Sequence, residues 1–215
     1  MAAGRTDVNG ARASHCASLR ASGDTTRRRC TERRQPCAGD TSQVDVNTAV
    51  RTRRTHKAFA SEPIDSVTLR ELFELARWAP NHRLTNPWRF RVLGPQSRAE
   101  LAREAELLSP GSAGKLDRAP TLVVASASMH GDPEERLEDL LAAAIAAYVV
   151  LLGAHARGLA GYWRTLPLLD APAVRAALEI TADEQPIGLL HLGHPIQDQR
   201  VPERAAVDEI ATFLD

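Results

Sequence analysis

The chain has 215 residues, 43% of them hydrophobic, which is enough for one sizeable core and too few for two large domains. Its 27 basic residues balance 27 acidic ones, so no overall field selects nucleic acid or an anionic membrane. The balance is uneven along the chain: residues 1–44 hold eight Arg against Asp7, Asp24, Glu32 and Asp40, leaving that stretch at plus four and the remainder at minus four.

Residues 1–44 show no helical or alternating apolar period and are rich in Gly, Ser, Thr and Arg. Such a segment buries too little surface to offset its ordering entropy, so a disordered basic extension is expected there and a folded domain over 45–215. Cys16, Cys30 and Cys37 all fall in the extension, at spacings that fit no zinc or redox motif. The domain itself is cysteine-free, which excludes a thiolate nucleophile and suits a reducing cytoplasm. The longest uncharged apolar run, Leu140 to Ala154, is 15 residues and is closed by Asp139 and His155. It is shorter than the roughly 20 residues a bilayer span needs, so a buried core helix is expected, covered on all sides.

In chain order, Val44 to Arg54 predicts a short helix ending in a cationic cluster. Asp65 or Ser66 caps a helix through Leu69, Leu72, Phe73 and Ala76, stopping before Pro80. Trp88 to Leu93 alternates apolar and Arg side chains, as a strand with one wet face does. Ser97 with Glu100 reads as a capping box ahead of a second helix. Pro120 to Ala125 predicts a buried strand, and Asp132 or Pro133 opens the long apolar helix, stopped at Gly158. Then follow a strand from Gly161 to Leu166, a helix capped by Asp170, a buried strand from Pro186 to Leu192 and a last helix from Ala205 to Leu214. Strands and helices mix without a regular βαβ rhythm, which gives an α+β fold with a central sheet flanked by helices.

Four stretches concentrate chemistry. R-R-T-H-K-A-F, Arg53 to Phe59, packs three cations and a hydroxyl into five residues; forked guanidinium donors match phosphate oxygens, although a solvated basic face would look the same. The loop Ala79 to Phe90 (A-P-N-H-R-L-T-N-P-W-R-F) offers amide and imidazole groups to a heterocycle edge, or forms a capped turn with Trp88 in the core. Gly158 to Thr165 sets Tyr162 and Trp163 beside Arg164, and L-G-H-P at Leu192 to Pro195 is followed by Arg200 and Arg204. No Ser-His-Asp pattern, paired carboxylates or H-x-x-x-H spacing is present, so neither a protein-borne nucleophile nor a metal is expected.

Taken in order, these stretches resemble the nitroreductase family of flavoproteins from about Asn47 to Phe213: a basic R-R-S/T, then A-P-S/D/N with P-W-x-F, a long apolar helix ending A-x-x-x-G-L/F, W-R-S/T, and L-G-x-P with basic residues. The chain looks like the subgroup with an A-P-D/N-H loop. The resemblance implies a mostly antiparallel sheet around a long central helix. It implies a homodimeric FMN enzyme that takes hydride from NAD(P)H at flavin N5 and passes it to a small nitroaromatic or quinone-like acceptor by a ping-pong mechanism. By position, Arg53, Arg54 and Thr55 become FMN phosphate and ribityl contacts, Arg200 a further phosphate partner, and Lys57 a cation near the pyrimidine end. His82, joined by Asn86, reaches the flavin from the second subunit; Trp163, Arg164 and Thr165 lie along it. Gly153, Ala154, His155, Ala156, Arg157 and Gly158 match a stretch associated with the nicotinamide nucleotide. Leu84 and Asn86 stand where many relatives carry the Asn and Gln of N-x-Q-P-W. A module that binds flavin without redox turnover is the alternative function.

Overall fold

In the computed structural model, which describes residues 44–214, eight consecutive buried residues form the middle of the sheet: strand β2, Thr121–Ser128. A strand buried on both faces needs a neighbour on each edge and a layer above and below. Its neighbours are β1 (Trp88–Val92) and β4 (Glu184–Gly193), and β3 (Ala160–Arg164) completes the order β1-β2-β4-β3, every pair antiparallel. Alternation along the strands divides the apolar side chains. Val123, Leu190 and Leu192 join Leu69, Leu72 and Ala76 of α2 (Ser66–Ala76) and Ala146, Val150 and Ala154 of α4 (Pro133–Ala156) in one core. Leu122, Val124 and Leu189 face the opposite way and pack with Leu101 and Ala105 of α3 (Pro95–Leu108) and Val174 of α5 (Pro172–Ala177). The result is three layers with the sheet in the middle, as expected.

The caps follow local chemistry. Asp45 accepts from the amides of Asn47 and Thr48 at the start of α1 (Val46–Thr52), and Asp65 does the same for α2. Asp132 and Glu135 form a reciprocal capping box on α4, and Gly158, at φ +73°, turns the chain away from its end.

Several expectations need correction. Helix α3 begins at Pro95, with Gly94 as its N-cap, because proline fits the first helical turn; Ser97 donates instead to Gly94 O and makes no capping box. Asp170 ends a 3₁₀ turn over Pro167–Asp170, and α5 starts after Ala171. The last helix shrinks to one turn, α6 (Val207–Ile210), with every residue exposed, because no core face receives it. The strands also run beyond their expected ends, β2 to Ser128 and β4 to Gly193. Helix α4, the one described helix long and apolar enough to cross a bilayer, is half buried in its most apolar window rather than covered all round. Leu137, Leu141, Ile145 and Tyr148 leave an exposed stripe along it. The basic extension lies outside the described residues except for Val44.

Candidate functional site

Helix α1 stops at Thr52, and Arg53 leaves the helical conformation there (φ −55°, ψ 130°). The chain then runs as an extra edge against β3, with Thr55 bridging Gly161 and the His56 amide donating to Gly161 O at 3.2 Å. This junction holds a cavity of ≈ 410 Å³ lined by Val50, Arg51, Arg53, Arg54, Tyr148, Val201, Pro202 and Arg204. Four guanidinium groups and no carboxylate line it. The Arg53 guanidinium lies 5.9 Å from the centre of the Tyr148 ring, and Arg54 is braced by the carbonyls of Arg51 and Arg53 at 2.6 and 2.9 Å.

Among the described residues, Arg53 Nε, Arg54 Nε and His56 Nδ1 are buried and meet no hydrogen-bond partner. Leaving a buried donor unmade costs about 1–3 kcal/mol, so the arrangement fits an oxyanion that would receive them. The neighbouring histidines keep their own charge out of the way. Burial, then the Arg53 guanidinium, pushes the His56 pKa below the usual range, and burial with Arg53, His56 and Arg54 does the same to His155. His155 Nε2 sits 2.7 Å from Thr52 Oγ1. A wall with this much positive potential and forked donors suits a phosphate monoester.

The sequence-derived residues separate around this cavity. Arg53 and Arg54 line it, whereas Thr55 and Lys57 are exposed on the adjoining edge. Arg200 is exposed outside the lining, and Arg204 is the arginine after L-G-H-P that faces the cavity. Arg51 and Tyr148 were hidden from sequence reasoning, the first as an ordinary helix-end cation and the second as one more member of an apolar run. Trp163 points into the α2–α4 core, its Nε1 donating to Ile187 O at 3.0 Å. Arg164, one residue on, lines a second cavity of ≈ 210 Å³ with Lys115, Ser109, Ser112 and Leu166. Thr165 is exposed beside it. In the 153–158 stretch Gly153 and Ala154 are buried, and a β-carbon on Gly153 would come within 2.8 Å of Leu75 Cδ1. His155 and Ala156 are half-buried; Arg157, paired with Glu71 at 3.3 Å, and Gly158 are exposed.

His82 and Asn86 stand on a protruding loop with a 3₁₀ turn at His82–Leu84. Arg83 (φ 51°), Leu84 (φ 53°) and Asn86 (φ 49°) are all left-handed, at about 1–2 kcal/mol per residue. Loop side chains are tied to α4: His82 Nδ1 to Glu138 at 2.9 Å, Arg83 to Glu135, and Thr85 Oγ1 to Asp139 Oδ1 at 2.6 Å.

A family model described as "Nitroreductase family" matches residues 50–194. The Bacillus subtilis (strain 168) protein YfhC, provisionally named an NAD(P)H nitroreductase, is 24% identical over 178 residues, covering 77% of this chain and 92% of its own length. Among solved structures, a nitroreductase-like family protein from Bacillus cereus superposes with a TM-score of 0.74 at 20% identity, covering 82% of this chain and all of that one. An NADPH:FMN oxidoreductase from Vibrio harveyi, complexed with NAD+, gives 0.66 at 19%, covering 78% of this chain and 76% of that one. At these identities the likeness to solved structures is one of fold.

Proposed function

Because this chain belongs to the nitroreductase family, we propose that it is an FMN-dependent oxidoreductase that draws hydride from NADH or NADPH and delivers it to a small acceptor of the nitroaromatic or quinone type. The observation that carries the cofactor is the arginine cavity with its two unpartnered guanidinium nitrogens, which suits the one dianionic group FMN presents. The Vibrio harveyi relative's name, NADPH:FMN oxidoreductase, is consistent with the same pairing of donor and flavin.

Bound flavin supplies the hydride chemistry through its own N5. The protein's share is binding and electrostatics. Arg53, Arg54 and Arg204 hold the phosphate, Thr55 takes the ribityl chain, and Lys57 stands as a cation toward the pyrimidine end. The backbone of Trp163 to Thr165 forms one wall, and the His155–Gly158 end of α4 receives the nicotinamide nucleotide. Donor and acceptor use the same face in turn, which makes the kinetics ping-pong.

We also propose a cytoplasmic homodimer whose folded unit starts near residue 45. The stripe of Leu137, Leu141, Ile145 and Tyr148 along α4 is the apolar surface a second copy would cover, and it ends in Tyr148 at the arginine cavity. That continuity lets His82 and Asn86 of one subunit complete the site of the other.

The test is an absorption spectrum of the purified full chain, before and after anaerobic addition of NADH or NADPH. A yellow protein that bleaches supports the reading. A colourless protein that takes up no FMN sinks it, and a yellow one that neither nucleotide bleaches leaves a flavin-binding module without turnover. Parallel lines in double-reciprocal plots at several acceptor concentrations would support the ping-pong order, and converging lines would exclude it.

A further inference from the structure

We propose that the cavity between α3 and the end of β3 is a second ligand site, built for a small amphipathic monoanion: a carboxylate held by Arg164 and Lys115, with an aliphatic chain of about six carbons against the leucines. The site stands apart from the flavin reading above.

Short connections bring its parts together. Helix α3 ends at Leu108, Gly111 (φ +80°) reverses the chain, and the Ser112 hydroxyl donates back to Ala105 O, so the 3₁₀ turn Ala113–Lys115 returns Lys115 to the helix end. Alternation along β3 sends Trp163 into the α2–α4 core and Arg164 to the opposite face, where Leu166 and Leu168 extend the wall. The arginine cavity shares no lining residue with this one.

Two cations and no carboxylate line the cavity. Among the described residues, neither Arg164 nor Lys115 forms an ion pair. The acids nearest in sequence are taken elsewhere: Asp117 by Arg98 at 3.3 Å, Glu106 by the amides of Gly111 and Ala113 at 2.7 and 3.3 Å, and Asp170 by Arg175 at 3.7 Å. The C-terminal end of α3 opposes an anion, but a helix end carries about half a charge against two full ones. The positive field also reaches buried His191, whose pKa is pushed down to about 4 by burial first and then by Arg164, Arg98 and Arg118.

What surrounds the cations defines the ligand. Leu108, Leu116, Leu166 and Leu168 form much of the wall, so a bare oxyanion would leave apolar surface wet and a neutral hydrocarbon would leave two cations facing it. The volume of ≈ 210 Å³ exceeds the roughly 150 Å³ that encloses benzene, which admits a six-carbon chain with its carboxylate. Arg164 supplies a fork that matches carboxylate geometry, Lys115 a mobile point charge and Ser109 a hydroxyl.

The experiment is isothermal titration calorimetry of the full chain with hexanoate, hexanamide and butanoate, on wild type, Arg164→Gln, Lys115→Gln and Arg54→Gln. Expected is saturable one-to-one binding of hexanoate, weakened about tenfold in Arg164→Gln and about threefold in Lys115→Gln, the scales of a forked and of an exposed charged contact, and unchanged in Arg54→Gln. Hexanamide and butanoate should each bind roughly tenfold more weakly, the first for want of charge and the second because two methylenes leave the wall. Lys115 is exposed, so its substitution leaves the fold intact and decides the matter even where Arg164→Gln does not fold. Absence of saturable hexanoate binding overturns the site. So does an affinity that either glutamine variant at the cavity leaves unchanged, or that hexanamide or butanoate matches. Weakening by Arg54→Gln, or displacement of hexanoate by FMN, moves the carboxylate to the arginine cavity and overturns the second site equally. A chain that binds hexanoate but no FMN sinks the flavin reading and leaves this site standing.

Discussion

Trp163 lies against Gly188 so closely that a β-carbon on Gly188 would collide with its indole nitrogen and stand 2.8 Å from Arg164 O. Gly188 sits at φ +149°, where the β2–β4 register shifts between Ala125 and Ser126. The side-chain-free residue is what lets the tryptophan fold over the strand and donate to Ile187 O. Gly188→Ala is expected to cost about 2–4 kcal/mol through strain and overpacking, read as a lower urea midpoint at unchanged slope.

The arginine cavity separates two residues that look alike in sequence. Arg53→Ala, Arg54→Ala and Arg204→Ala should each raise the FMN dissociation constant by roughly 10- to 100-fold, the worth of a charge-assisted hydrogen bond, and leave riboflavin binding nearly unchanged. Arg200→Ala, whose side chain is outside the lining, should change FMN affinity by less than about threefold, the scale of an exposed charge. Equal effects of Arg200→Ala and Arg204→Ala in fluorescence titrations would refute this placement.

Arg91 and Glu184 form a two-pronged pair at 2.6 and 2.7 Å, with Ser126 also donating to the carboxylate. Burial opposes the charge on Glu184, but Arg91 and Ser126 prevail and bring its pKa from 4.5 down to about 2. The pair's contribution is therefore present above pH 4.5 and lost as pH falls toward 2, worth roughly 3 kcal/mol. Arg91→Ala strands the buried carboxylate and should cost about 3–5 kcal/mol in chemical denaturation at pH 7.

His191 is buried in β4, stacked on Tyr162 at 5.3 Å, and neither ring nitrogen has a hydrogen-bond partner among the described residues. Burial, aided by Arg164, Arg98 and Arg118, lowers its pKa from 6.5 to about 4. Between these values the unfolded chain binds the extra proton, so stability falls as pH drops from 6.5 to 4, by roughly 3 kcal/mol. His191→Leu removes the titration and the two orphaned nitrogens. Its melting temperature should match or exceed wild type at pH 7 and lose less on going to pH 5; an equal loss in both proteins would count against this account.

Leu141→Glu together with Ile145→Asp places two charges on the exposed stripe of α4, both at positions at least 42% exposed in the single chain. The double variant should keep its far-ultraviolet circular dichroism and sediment as a monomer where wild type sediments as a dimer. Two dimers, or two monomers, would dismiss the stripe as the subunit interface.

Much of the fold was legible in the sequence because its causes are local. Asp65 caps α2 and Asp132 caps α4 through amides two and three residues away, and the apolar run from Leu140 to Ala154 names its own helix. The order of R-R-T, A-P-N-H, P-W-x-F and W-R-T carried the family in the same way. Tertiary structure alone decided the rest. That Arg204 rather than Arg200 meets Arg53 and Arg54, that Tyr148 leaves the apolar run to stand under a guanidinium, and that Asp139 holds Thr85 across 54 residues depend on pairings between distant segments. So does the exposed side of α4: residue type shows that a helix is apolar, but only the packed sheet shows how much of its surface the chain can cover by itself.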